Sequence, residues 1–558
     1  MKNIKNLLNT NLLQKKEYII PLITILSLII SCTIISEKKI FWNDELYSYY
    51  FLSDPSFTEM MSAFGDKINN TPFLYFGLGW VWDKIFGSSE LSLRLFSSVG
   101  IGIACLIIWR TLRKTYNFWS TAIGTLGVFC TSEIILSQNA EARMYGLFLM
   151  LSALAFWQFD CLARKSEITR WDLSFTVLIH AAIIHTHLFG PFYSGAILFA
   201  LIIRDKLLHK LQPKIYLSII GSWFSFLLYI PAFLVQADAG TPRTWLPIPT
   251  LQDFIEFMSL SSSSLLRTIV LTLLILISGW QVLTLSLTTD QPPAFSPLVS
   301  SKKSEASLLI FAYIFLGVPI FVWLFSLTIK PIFWDRYMIP SIISWCILLS
   351  YLSSRLITPS ILVNNSSPTW VQRFLNTQQS LILSSLLIIF LIHPITYAKN
   401  YQGRAIPGTY DTTYGYEELP IVVQPSAQFL ERRHYAKNWQ RYYFILDWEA
   451  AIHPGSGLFS PQEYKHLDAI NRHYPQLFEG HILKTEDFLK KYDRFLVLDY
   501  ANYQEDCPTQ VFGLDKARNW EDMHCPKWVK LRLLNNPNYQ VTHLGDIWGE
   551  ALLLVGKK

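Results

Sequence analysis

Charge is what this chain has least of. Only 16% of its 558 residues are charged, against about 25% in an ordinary soluble protein. The shortage is uneven: residues 1–397 hold 28 Lys+Arg and 21 Asp+Glu, while residues 398–558 hold 19 and 20. The C-terminal stretch therefore has the charge density of a soluble domain, and the first 397 residues have about half of it. Cysteine is scarce as well, seven in all, which excludes a disulfide-built mini-protein. Five of them (Cys32, Cys105, Cys130, Cys161, Cys346) lie in apolar runs and read as small apolar side chains. There is no zinc-ligand spacing and no phosphate-cradling glycine loop. No internal repeat supports an inverted-repeat transporter. With 51% hydrophobic residues, disorder and collagen-like structure are excluded too. The net charge of +6 comes from the apolar part, so it belongs to loop asymmetry at a membrane and is no nucleic-acid footprint.

Long apolar runs take the place of charge. Runs of about 17 residues or more are candidate transmembrane helices. Eleven are read, near 18–36, 92–110, 118–137, 144–162, 173–189, 191–204, 215–236, 266–288, 306–329, 338–356 and 379–397, of which 191–204 is short unless it begins inside the Gly190-Pro191 turn. The first has no small-residue cleavage site and is flanked by Glu37-Lys38-Lys39, which favours a retained anchor over a signal peptide. Basic residues of short loops set the orientation. Lys15, Lys16, Arg110, Arg113, Lys114, Arg164, Lys165, Arg204, Lys206 and Arg355 fall on one side, taken as cytoplasmic with the N-terminus. Acids such as Glu37, Asp44, Glu45, Asp54 and Glu59 fall on the other. Segment 71–87 is apolar, but 15 helical residues cover only about 22 Å of the roughly 30 Å hydrocarbon core. It is expected to lie at the interface, within a long outer loop spanning 37–91.

The expected architecture is thus an all-α polytopic membrane part over 1–397, with about 11 transmembrane helices, followed by an extracytoplasmic α/β domain over 398–558. In that domain Tyr442–Asp447, Arg494–Asp499 and Glu550–Val555 read as strands, and Pro461–His473 and Glu486–Lys491 as helices. Asp447 and Asp499 end strands, where turn chemistry is the commoner role. Cys507 and Cys525 are a candidate disulfide in an oxidising space.

The candidate chemistry gathers at the outer face. Asp44 and Glu45 are adjacent carboxylates directly after the first span. The plain alternative is that Asp44 only caps the helix that Glu45-Leu-Tyr continues. Glu141-Ala-Arg143-Met-Tyr145 and Asp335-Arg336-Tyr337 sit at further outer span boundaries, where simple interfacial ion pairs would suffice. Arg94 opens the second span, where a lone arginine can snorkel. His185 and His187 are spaced i,i+2 and share no helix face, so they make a poor joint metal site. Together, carboxylates and arginines at one face suit a hydroxyl deprotonated by the former and a lipid phosphate held by the latter.

Asp44-Glu45, Asn70-Thr71-Pro72-Phe-Leu-Tyr75, Leu93-Arg94-Leu95-Phe96-Ser97, Glu141-Ala-Arg-Met-Tyr145 and Arg336-Tyr337 resemble, in order and side, the motifs of the GT-C integral-membrane glycosyltransferases. The likeness is to glycosyltransferase family 39, the protein O-mannosyltransferases and aminoarabinose transferases, over about residues 15–400. Thr71 and Phe73 depart from the family pattern near the donor phosphate. The resemblance implies a polyprenyl-phosphate-linked sugar presented in the inner (plasma) membrane and a lipid, glycan or protein acceptor hydroxyl that attacks C1 with inversion. It points to Asp44 as base, with Glu45 orienting it or binding a divalent metal. Arg94, Arg143 and Arg336 become the expected phosphate clamp, and Glu141, Tyr145, His187 and Tyr337 further substrate or metal candidates. The rival class is a transporter or flippase of lipid-linked sugars, whose charges would line a pathway. It has no need of a long acidic, aromatic outer loop and a large external domain.

Overall fold

The computed structural model describes residues 18–165, 167–241, 246–258, 275, 297–356, 370–408, 411, 415–453, 456, 460–505, 527–547 and 549–558. The expected span 266–288 falls almost wholly outside these residues, as do Cys507 and Cys525. Among the described residues six helices are long and apolar enough to cross a membrane: Ile19–Lys38, Glu90–Leu112, Tyr145–Arg164, Lys303–Thr328, Asp335–Arg355 and Leu381–Asn400. A seventh is formed if Pro213–Leu228 and Ile230–Gly240, bent by 60°, count as one span. The expected count of about eleven spans is not confirmed by the described residues.

The physical reasons are local. The 118–137 run is broken: a π-turn over Ala122–Leu126 is followed by Ser132 in an extended conformation, ψ 121°, before a new helix Glu133–Gln138. Gly124 packs so closely on the span Asp335–Arg355 that a Cβ there would stand 2.5 Å from the Cys346 carbonyl oxygen. The 173–189 run yields the helix Arg170–Ile184, whose 15 residues reach only about 22 Å. Segment 71–87 forms the helix Leu74–Phe86, 13 residues or about 20 Å. It buries Tyr75, Phe76 and Gly79 against the body and exposes Leu78, Val81, Ile85 and Phe86.

Two small residues let the spans that carry the site approach closely. A Cβ on Gly146 would fall 2.0 Å from the Ser97 carbonyl oxygen, and one on Gly100 2.6 Å from the Gly146 carbonyl carbon. Helices Glu90–Leu112 and Tyr145–Arg164 therefore meet backbone to backbone, as small-residue seams permit.

The C-terminal region forms a six-stranded sheet in the order β3-β2-β1-β4-β6-β5. The strands are β1 Ile421–Val423, β2 Tyr442–Leu446, β3 Ile482–Lys484, β4 Arg494–Tyr500, β5 Tyr539–Ile547 and β6 Glu550–Lys557. The first four are parallel; β6 runs antiparallel to both β4 and β5. Alternation along β1 sends Ile421 and Val423 into the same core as the helical body and Val422 into a second core with Phe495 and Trp528. The Tyr435 hydroxyl accepts a hydrogen bond from the Phe41 N–H at 2.7 Å, and Arg472 and His473 reach Asp66 at 2.9 and 3.0 Å. Lys465 reaches Asp238 at 2.9 Å. These contacts seat the sheet region on the segment that follows the first span and on the turn Asp238–Gly240.

Candidate active site

The helix Asn43–Leu52 starts two residues earlier than a cap at Asp44 requires. Trp42 is its N-cap, and Asp44 and Glu45 both lie in its first turn. This corrects the reading of Asp44 as a cap. At about 100° per residue, consecutive helical side chains point in different directions, and the two carboxylates have different fates.

Glu45 is sealed. It is fully buried and takes a two-pronged bond from Arg94, Nε to Oε1 and Nη2 to Oε2, both at 2.9 Å. The Ala142 N–H adds a bond at 2.8 Å, and Lys39 stands 3.7 Å away. Burial pushes the Glu45 carboxyl up, but the charges of Lys39 and Arg94 outweigh it and hold the group below the usual range. Arg94 is likewise fully buried. Its Nη1 donates to the Lys39 carbonyl at 2.7 Å and toward Glu90 at 3.5 Å, and its Nη2 also donates to the Ile40 carbonyl at 3.0 Å. A guanidinium has five N–H donors, and all five are engaged. The expected place of Arg94 in a phosphate clamp is therefore corrected: it has no donor left for a ligand.

Glu141 lies beside this pair. It is bonded to Lys39 Nζ and accepts from Trp42 Nε1 at 2.7 Å. Burial, only partly offset by Lys39, raises its carboxyl. Lys39 thus bridges two carboxylates, with Ala140 O at 3.3 Å as a further acceptor. The loop bearing Glu141 is hung between two spans by Asn139, which donates to the Leu28 carbonyl at 2.8 Å and accepts from Ser98 at 2.9 Å.

Asp44 stays accessible, 26% exposed. Arg336 Nη2 donates to its Oδ2 at 3.2 Å, and Arg143 Nη2 lies 3.7 Å from the same oxygen. Arg143 is anchored by Nη1 to the Asp44 carbonyl at 3.1 Å and to Ser48 Oγ at 3.2 Å. Both guanidinium groups keep a buried Nε–H without a hydrogen-bond partner. Arg336 enters from the 3-10 turn Asp335–Ser341 and lies over aromatic rings, 5.1 Å from Trp42 and 5.9 Å from both Tyr145 and Tyr337. The Tyr145 hydroxyl is buried and unpartnered. His187 packs 5.8 Å from Tyr145 and 5.2 Å from Tyr337. Its Nδ1 accepts the Phe189 N–H at 3.1 Å, so in the neutral ring the proton sits on Nε2. His185 turns elsewhere, to Ser225 at 3.1 Å.

The structure thus brings Asp44, Arg143, Tyr145, His187, Arg336 and Tyr337 together. It sets Glu45, Arg94 and Glu141 behind them as a paired, buried layer. A cavity of about 550 Å³ shares the Phe333-Trp334-Asp335 wall that leads into Arg336, opposite Glu133, Asp253 and Tyr397. Among the described residues no group of three or more His, Cys, Asp or Glu could hold a metal ion, and the Glu45 oxygens proposed for one are taken by Arg94. Lys39 and Trp42 were missed from sequence. Lys39 reads there as a charged span flank, and Trp42 as an interfacial aromatic; their common partner, Glu141, lies about 100 residues away in the chain.

No protein-family model and no curated protein matches this chain. Among solved structures it is similar to ArnT from Cupriavidus metallidurans. Against the crystal structure of ArnT bound to undecaprenyl phosphate the identity is 12%, covering 96% of this chain and 97% of that one, with a TM-score of 0.48. Against the apo state the identity is 13% over the same shares, with a TM-score of 0.47. At this level the likeness assigns no residue a role.

Proposed function

We propose that the protein is an integral-membrane glycosyltransferase of GT-C type. It moves a sugar from a polyprenyl-phosphate donor to a lipid, glycan or protein hydroxyl, on the outer face of the inner (plasma) membrane. One observation carries this reading: an accessible carboxylate, Asp44, stands between two arginines whose inner N–H groups are unpartnered. That arrangement has a base for one reactant and vacant donors for an anionic one.

The chemistry divides accordingly. A phosphate monoester is a good leaving group and needs cations more than an acid. An alcohol is a poor nucleophile and needs a base. In the reading proposed, Arg143 and Arg336 hold the polyprenyl phosphate, and Arg336 exchanges its bond to Asp44 for one to the phosphate. The freed Asp44 carboxylate takes the acceptor O–H proton as the oxygen bonds to C1. The C1–phosphate bond breaks on the opposite side, so the configuration at C1 inverts. Tyr145, Tyr337 and Trp42 form an aromatic wall around Arg336. Glu45, Arg94, Lys39 and Glu141 fix the backbone that carries Asp44.

A transporter would need its charges to face a pathway. The most buried charges here, Glu45 and Arg94, face each other. The test is direct: purified protein in lipid nanodiscs, supplied with a polyprenyl-phospho-sugar and candidate hydroxyl acceptors, releases free polyprenyl phosphate. Release that is undetectable with every donor, while lipid-linked sugar crosses the bilayer of sealed proteoliposomes containing the protein, would favour the transporter.

A further inference from the structure

Four residues, Lys39 to Trp42, join the first span to the helix Asn43–Leu52 that carries Asp44. Each is held by a side chain from outside this linker. The Lys39 and Ile40 carbonyls accept from Arg94 at 2.7 and 3.0 Å, and the Trp42 N–H donates to Glu45 at 3.5 Å. The Phe41 N–H donates to the Tyr435 hydroxyl at 2.7 Å. Tyr435 ends the helix Ser426–Tyr435, which lies between β1 and β2 in the sheet region. The same hydroxyl donates its own proton to Glu90. Glu90 Oε2 stands 3.5 Å from Arg94 Nη1, and Arg94 grips Glu45. Tyr435 therefore belongs to the bonded network that fixes the linker, and it is supplied by the sheet region.

Rings repeat the pattern. Three tyrosines of the Asp44 helix lie against the sheet region: Tyr47 on His466 at 5.4 Å, Tyr49 on His434 at 4.8 Å and Tyr50 on Phe478 at 5.4 Å. His434 also lies 6.4 Å from the Phe41 ring. Phe41 is buried, so its N–H has little water to turn to if the Tyr435 hydroxyl is withdrawn.

Reacting groups tolerate little displacement: about 1 Å costs about a hundredfold in rate. We infer that Tyr435 is a positioning residue for Asp44. Its hydroxyl sets where the Asp44 helix begins, so the sheet region is a working part of the transfer site. The inference rests on the assignment of Asp44 as the base.

Tyr435→Phe tests it, since the ring and its packing stay and only the hydroxyl goes. In the full-length protein in nanodiscs, amide hydrogen exchange over residues 39–52 should quicken about tenfold, the equivalent of one lost hydrogen bond. Arg472→Gln, which cuts another contact of the sheet region, to Asp66, should leave that exchange unchanged. In turnover, Tyr435→Phe should lower kcat about 10–100-fold. Donor KM should change by less than about threefold, because Arg336 comes from another segment. In the Asp44→Asn background the same substitution should slow turnover less than about twofold, since a residue acting through Asp44 has nothing left to place. Exchange over 39–52 indifferent to Tyr435→Phe would overturn the inference. So would equal slowing in both backgrounds, the mark of a role in the fold alone. If no donor releases polyprenyl phosphate, the transferase reading fails, and exchange still decides whether Tyr435 holds the Asp44 helix.

Discussion

Asp44→Asn separates the base from everything around it. The substitution keeps size and one acceptor oxygen, so Arg336 retains a partner at the 3.2 Å position. Asp44 is 26% exposed and its arginines 13–14%, so the loss of one charge at this half-buried cluster should cost folding about 1–3 kcal/mol. The kinetic effect should be larger. Removing a general base slows proton transfer by about 10²–10⁴-fold, or roughly 3–5 kcal/mol of barrier. The sign on donor affinity is the sharper criterion. In the mechanism proposed, Asp44 competes with the donor phosphate for Arg336. Neutralising it leaves the two guanidinium groups uncompensated and should hold KM for the polyprenyl-phospho-sugar level or lower it. Arg336→Met should do the reverse and raise donor KM. The assay is steady-state release of polyprenyl phosphate, with intact folding checked by thermal unfolding. Near-normal kcat in Asp44→Asn, or a fall in kcat accompanied by a large rise in donor KM, would refute the assignment of Asp44 as the base.

Four further outcomes follow from the same geometry. Glu45→Gln strands the buried Arg94 charge and should destabilise the protein by about 3–5 kcal/mol; Glu45→Gln combined with Arg94→Met should recover part of that in thermal unfolding. Gly146→Ala forces a Cβ onto the Ser97 carbonyl and should cost about 1–3 kcal/mol, read in the same melt, with little change in KM if the fold survives. Glu463 binds its proton more tightly folded than unfolded, its carboxyl lying at about 8 against 4.5. The protein should therefore lose stability as pH rises from about 4.5 to about 8, and Glu463→Gln should flatten that slope; an unchanged slope sinks the attribution. For the orientation proposed, a cysteine replacing Glu417 should react with an impermeant thiol reagent on intact cells and one replacing Arg113 should not; the opposite pattern would invert the topology.

Six of the spans could be read from hydropathy because an apolar run near 20 residues long has few other uses. The strands Tyr442–Leu446, Arg494–Tyr500 and Glu550–Lys557 were legible for a related reason: they are buried on both faces and read as continuous apolar runs. β5 was not, since Gln540, Thr542, His543 and Asp546 interrupt it at the sheet edge. The three-residue strands β1 and β3 are too short to carry a pattern. Hydropathy sees neither the break at Ser132 nor the close approach of Gly124 to Cys346 and Ser350. Asp447 proved to be turn chemistry, capping Trp448–Ile452 through the Ala450 N–H at 3.0 Å and pairing with Arg532 at 2.7 Å.

At the site, the residue types were legible and their partners were not. The two carboxylates look interchangeable in sequence, yet one helical step separates a group with every oxygen committed from one left accessible. Burying Glu45 is tolerable only because Arg94 meets it with two bonds and has its own remaining N–H groups satisfied by backbone. A pair so fully bonded cannot shift without leaving a charge bare, which makes it a fixed point for the helix it begins. Asp44 precedes it by one residue and inherits that fixed position, while its own side chain stays accessible beside Arg336, as the base proposed for it must. The buried layer therefore spends its charges on holding still, and the accessible layer is where charge can change hands.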